Sequence, residues 1–160
     1  MRKKLALPAL LAASLLVLSG CAADSGGLKL TVPDVPMKTE LGDFEGELNI
    51  VNWSGFVEPA WTDKFTADTG CVVNPRVAGT SDEMVTLMRT GEYDIVSASG
   101  DAALRLIVGG DVAPLNLELI PNFSDDIAAG MKGQIYDTVN GKPYGVPIGR
   151  GANLLQYNED

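Results

Sequence analysis

The stretch from Gly79 to Ile107, GTSDEMVTLMRTGEYDIVSASGDAALRLI, reads as a helix, a strand and a second helix in succession. Thr80-Ser81-Asp82-Glu83 matches a capping box, with a hydroxyl to accept from a first-turn N–H and a carboxylate three residues later to return the bond. Met84, Leu87 and Met88 follow as the apolar stripe of a helix that stops at Gly91, and their sulfurs are expected in a core rather than on a metal. Tyr93 to Ala98 is an apolar run of strand type, and a helix is predicted from Asp101 to about Val108.

The same alternation extends upstream. Leu48, Ile50 and Val51 lead to Trp53 as a strand, and Glu58 to Thr69 carries Trp61 and Phe65 four apart, the spacing of a helix facing a core. Gly70 is placed to end that helix, and Cys71 to Val77 forms the next strand. Three strand-helix units at this spacing predict a parallel sheet with right-handed crossovers. Downstream, Asn140-Gly141 between Ile135–Val139 and Pro143–Val146 signals a hairpin, and Ala152 to Tyr157 reads as a last strand.

The amino terminus has a different character. Arg2, Lys3 and Lys4 precede a largely apolar stretch of 14 residues, Leu5 to Leu18, too short for a membrane span, and Leu18-Ser19-Gly20-Cys21 has the pattern of a lipobox. Residues 1–20 are therefore read as a lipoprotein signal peptide, with Cys21 as the lipid-attachment residue and 21–46, rich in interruptions, as a flexible tether. The expected location is the cell envelope, at the outer face of the cytoplasmic membrane or in the periplasm. Loss of residues 1–20 removes three of the 12 basic residues and none of the 21 acids, leaving a formal charge of −12. Nucleic acid is not an expected partner of such a chain. Cys71, beside Val72 and Val73, reads as a small buried core residue.

In an open parallel sheet, ligands bind outside the carboxyl ends of the strands. The residues just beyond the three predicted strand ends are Trp53-Ser54-Gly55-Phe56, Ala78-Gly79-Thr80-Ser81 and Ser99-Gly100-Asp101. Small residues there admit a ligand to the backbone, and hydroxyls and an acid supply polar contacts. Trp53 offers a ring face to an alkyl chain or a cation, or caps the core at a strand end. Ser99 and Asp101 suit both a ligand and a helix cap.

Catalysis has little support. The chain has no histidine, so neither a Ser-His-Asp arrangement nor a histidine zinc site can be built from it. No glycine-rich phosphate loop appears, and no pair of carboxylates stands out by spacing. No enzyme activity, cofactor or metal is expected.

Together the lipobox and the stretches LNIVNWSGFVEP, FTADTGCVVN, GTSDEMVTLMRTGEYDIVSASGDAALRLI, LIPNF and YGVPIGRGANLLQYN resemble the solute-binding proteins of ABC transporters, of the spermidine/putrescine-binding type. The resemblance runs from about residue 47 to the end. It implies an α/β fold, a periplasmic-binding-protein-like lobe with a mainly parallel sheet flanked by helices. It also implies a protein that closes two lobes on a polyamine and delivers it to a membrane permease. Residues 47–160 would then be the amino-terminal part of lobe one, ending at the crossover toward lobe two, with the second lobe absent. Without that lobe the chain is expected to bind no polyamine tightly.

By the same resemblance, Trp53 matches a tryptophan that packs on the polyamine, Ser54 the hydroxyl beside it, Phe56 a frequent aromatic position and Ser99 the pocket serine after the third strand. Asp101 departs from the pattern, standing where an aromatic residue is common. Arg150 departs as well, and a guanidinium in the cleft would favour a carboxylate over an amine. The ligand-binding candidates are thus Trp53, Ser54, Phe56, Thr80, Ser81, Ser99, Asp101 and Arg150. Other small solutes, an envelope enzyme and a non-functional remnant are the alternative readings.

Overall fold

The computed structural model describes residues 29–43, 45–149, 151, 157 and 158. Cys21, Arg150 and the predicted strand at Ala152–Tyr157, apart from Tyr157 itself, lie outside the described residues.

Strand β1 (Glu47–Asn52) is the centre of a three-stranded parallel sheet. It pairs along its whole length with β2 (Val72–Val77), from Glu47 opposite Val72 to Asn52 opposite Val77. On its other side Ile50 and Val51 pair with Ile95 and Val96, which form β3. Pro75 breaks no ladder because β2 is an edge strand, where a missing N–H can face outward. The run Tyr93–Ala98 supplies a shorter ladder than predicted, extended at each end by one bond: Asp94 N–H to Asn49 O at 2.9 Å and Ser97 N–H to Val51 O at 2.8 Å.

Helix α1 (Pro59–Thr69) connects β1 to β2, α2 (Ser81–Met88) connects β2 to β3, and α3 (Gly100–Gly109) follows β3. The core lies where α2 and α3 meet one face of the sheet, and is made of Val51, Ala78, Met84, Val85, Met88, Ala102 and Leu106. Met84 and Met88 are core residues as expected, and Cys71 is buried at the start of β2.

The other face is less covered. Trp61 and Phe65 point toward the sheet as their spacing predicts, but they line an open groove with Leu48, Ile50, Phe56 and Val73 and remain 61% and 41% exposed. Periodicity identifies the apolar side of a helix, and nothing among the described residues closes over this one, so α1 has no buried residue. The expectation that Trp61 and Phe65 belong to a closed core is corrected accordingly.

Beyond α3 the chain crosses a 3-10 turn at Leu117–Leu119, helix α4 (Pro121–Asp126) and a second such turn at Ala129–Met131. It then forms the predicted hairpin from β4 (Thr138–Val139) and β5 (Lys142–Pro143). Asn140 and Gly141 have φ of 51° and 75°, the two positive values that a two-residue type I′ turn requires. The hairpin is held to the lobe by Leu115 N–H on Pro143 O at 2.7 Å and by the fully buried Val139. Part of the stretch read as a tether also lies on the lobe. Leu30, Val32 and Val35 are half-buried, with Thr31, Pro33 and Asp34 exposed between them.

Candidate functional site

The connections that follow β1, β2 and β3 all emerge at the carboxyl edge of the sheet, because the strands are parallel. Ala78 closes β2 by donating its N–H to Asn52 O at 2.9 Å, after which the chain turns into α2. Thr80 is the helix cap, its Oγ1 accepting from Glu83 N–H at 3.1 Å. The return bond of the capping box goes one residue earlier than expected, from Gly79 N–H to Glu83 Oε2 at 2.9 Å. The Thr80 hydroxyl is therefore engaged in capping.

Ser81, the first residue of α2, meets the start of α3. Its Oγ lies 2.8 Å from Ser99 Oγ and 3.4 Å from Asp101 Oδ1, and the Ser99 hydroxyl donates to Asp101 Oδ1 at 2.6 Å. Ser99 occupies the cap position of α3 without capping it, because its hydroxyl is turned to the acid. Asp101 sits in the first turn, where the helix dipole favours a negative charge.

The Ser99 hydroxyl is the main influence holding the Asp101 carboxyl below the usual aspartate range. Slight burial opposes it, and Ser81 and the backbone N–H groups of Ala102 and Asp101 add to the lowering. Asp82 is occupied by Arg105 at 2.6 Å, and Asp111 by Arg89 at 2.9 Å. Asp101 has no lysine or arginine partner among the described residues. The arrangement is an exposed, ionised carboxylate stiffened by two half-buried hydroxyls and open to a cation.

Packing sets this group in place. Gly100 passes so close to Tyr136 that a Cβ there would lie 3.0 Å from the Tyr136 Cβ, so a side chain between Ser99 and Asp101 would have to push Tyr136 aside. Trp53, half-buried, packs on the core cluster that includes Ala78 and Ala102, the neighbours of the two serine-bearing turns. Ser54 is exposed in the turn closed by Phe56 N–H on Trp53 O at 3.1 Å. Phe56 goes elsewhere, into the groove beside α1 with Trp61. The structure thus brings together Ser81, Ser99 and Asp101, sets Trp53 at the same edge, uses Thr80 as a cap, and separates Phe56 from the hydroxyl group.

Two buried polar groups near these elements were missed in the sequence. Asn52, at the end of β1, is 1% exposed; its Nδ2 donates to Trp53 O at 2.8 Å, fixing the turn that carries the indole, and its Oδ1 has no partner among the described residues. Asp137, 8% exposed and next to Tyr136, accepts from Thr138 Oγ1 at 2.8 Å through Oδ1 and has no partner at Oδ2 among the described residues. Burial pushes its carboxyl up, against the Thr138 hydroxyl and a backbone bond from Gln134. A polar residue inside an apolar run, as in LNIVN, is the signal that could have found Asn52.

The sheet order, crossovers and carboxyl-edge site define an α/β chain with part of a periplasmic-binding-protein-like fold. Among solved structures, a putative spermidine/putrescine ABC transporter protein from Listeria monocytogenes is similar at a TM-score of 0.55 and 22% identity, over 61% of this chain and 30% of that one. A spermidine/putrescine ABC transporter substrate-binding protein from Streptococcus pneumoniae, in complex with calcium and HEPES, is similar at 0.53 and 24% identity, over 59% of this chain and 29% of that one. The matched part spans less than a third of the length of either structure. No protein-family profile matches the chain.

Proposed function

We propose that this chain is the solute-binding component of an ABC importer, taking a polyamine such as spermidine or putrescine, or a related amine, at the carboxyl edge of its sheet. The observation that carries the proposal is the Ser81–Ser99–Asp101 group, an ionised carboxylate with hydroxyl support and no cationic partner among the described residues. An ammonium would complete it with a charge-assisted hydrogen bond, and Trp53 at the same edge would offer its ring face to a methylene chain or a cation. The fold shared with substrate-binding proteins of that transporter class supports a binding role over an enzymatic one.

In the same proposal Cys21 carries lipid, holding the protein at the outer face of the membrane, where it hands its solute to the permease. Changing Cys21 to Ser should move the expressed protein from the membrane to the soluble fraction.

The binding claim is tested by melting the chain with spermidine, putrescine, glutamate and succinate at matched ionic strength. A ligand present at ten times its Kd stabilises by about 1.4 kcal/mol, so the amines should raise the melting point at millimolar concentration. A rise with the carboxylates instead would favour a different solute, and turnover of any of them an enzyme.

A further inference from the structure

The extended segment at residues 30–35 is joined to the lobe at three places. Leu30 is gripped through both backbone groups by one side chain: its N–H donates to Asn140 Oδ1 at 3.0 Å and its C=O accepts from Asn140 Nδ2 at 2.7 Å. Asp34 Oδ1 stands 3.7 Å from Lys142 Nζ, on the other side of the same hairpin turn. Pro33 lies against Gly110, which has φ of 74° and approaches so closely that a Cβ there would come within 3.0 Å of the proline ring.

Of these contacts, that of Pro33 with Gly110 falls at the edge of the sheet opposite the candidate site. Helix α2 joins two parallel strands and must return from their carboxyl ends to their amino ends. Helix α3 runs beside it in the same direction, since Ser81 meets Ser99 at their starts and Arg89 meets Asp111 beyond their ends. Gly110, just past α3, is therefore at the amino-end edge, a helix of 10 residues away from Asp101, or about 15 Å.

We infer that residues 30–35 are a clasp that fixes where the amino-terminal segment leaves the lobe, so that the Ser81–Ser99–Asp101 edge points away from the membrane to which that segment leads. The orientation rests on the proposed lipid anchor at Cys21; the clasp does not. Nine residue steps separate Cys21 from Leu30, which at full extension reach about 30 Å. A clasped lobe thus keeps its point of attachment within that reach of the bilayer, whereas a lobe hanging on the whole of 21–46 would have 25 residue steps of chain between it and the anchor.

Asn140→Gly is the diagnostic change, because glycine keeps the positive φ of the turn and deletes only the amide that holds Leu30. In the full chain, the Leu30 amide should exchange with solvent at least tenfold faster in Asn140→Gly while the Met84 and Leu106 amides are unchanged. An unchanged Leu30 rate would overturn the clasp.

For the orientation, the Cys71→Ala chain is coupled through Cys21 to a maleimide lipid in nanodiscs that contain a gadolinium-headgroup lipid. The Gly110 amide signal should broaden more than those of Gly55 and Gly79, and Asn140→Gly should erase the contrast. Equal broadening, the reverse order, or a contrast that survives Asn140→Gly would overturn it. Because the coupling is chemical, failure of Cys21 to be acylated in cells would appear in the fractionation experiment and leave this result untouched.

Discussion

Replacing Asp101 with Asn separates a helix-terminal acid from a ligand acid. The carboxylate accepts from Ser99 Oγ at 2.6 Å and lies 3.4 Å from Ser81 Oγ, and an asparagine Oδ1 can accept both bonds. The apo protein then loses only the charge at the start of α3. For an exposed side chain screened by solvent that amounts to about 0.3 kcal/mol, so the melting point should barely move. A bound ammonium would lose its counter-charge. With Asp101 exposed on this lobe, that loss should be about 0.5 to 1 kcal/mol, a two- to fivefold drop in affinity. Because the Asp101 carboxyl titrates below the usual range, the contribution should persist from neutral pH down through pH 5 and fade only as the pH falls through its lowered pKa. The assay is an NMR titration of parent and variant with spermidine, with melting curves of both apo forms. Unchanged affinity would refute the reasoning and return Asp101 to the role of a first-turn helix acid.

Other predictions concern the supports of the site and the two faces of the sheet. Ser99→Ala should raise the Asp101 pKa, read from its carboxyl carbon shift, because the Ser99 hydroxyl is the largest influence lowering it. Met84→Ala, at a residue with 0% exposure, should cost about 2–4 kcal/mol in chemical unfolding, whereas Trp61→Ala should cost under about 1 kcal/mol because its ring stays largely in water. Asp137 has a raised pKa in the folded chain, so its folded state binds the proton more tightly and loses stability as pH rises from the unfolded value through the folded one. The melting point of Asp137→Asn should therefore gain on that of the parent as pH increases from 3 to 7, and a pH-independent difference would contradict this.

Much of the fold was legible because it rests on local signals. The strands at Glu47–Asn52 and Val72–Val77 and the cap at Thr80 have their physical cause within a few residues, and so does the Asn140-Gly141 turn. The meeting of Ser81, Ser99 and Asp101 was legible only as three strand ends that a parallel sheet must bring to one edge. The bonds among them depend on α2 and α3 lying side by side, which no local pattern states. Tertiary placement decided the rest. The rings of Trp61 and Phe65 have the spacing of core residues, yet whether a second layer covers them is not written in their helix. The grip of Asn140 on Leu30 joins residues 110 apart in sequence, beyond the reach of periodicity or turn chemistry.

The central claim, that the carboxyl edge of the sheet receives a cationic solute, is tested most directly by mapping spermidine onto the chain by NMR at constant ionic strength. The predicted result is a saturable shift of the Trp53 indole N–H and of the Ser81, Gly100, Asp101 and Ala102 amides. Glutamate should leave these signals in place, and so should sodium chloride of equal strength. Shifts confined to the α1 groove around Phe56 and Trp61, or the same response to glutamate, would contradict it.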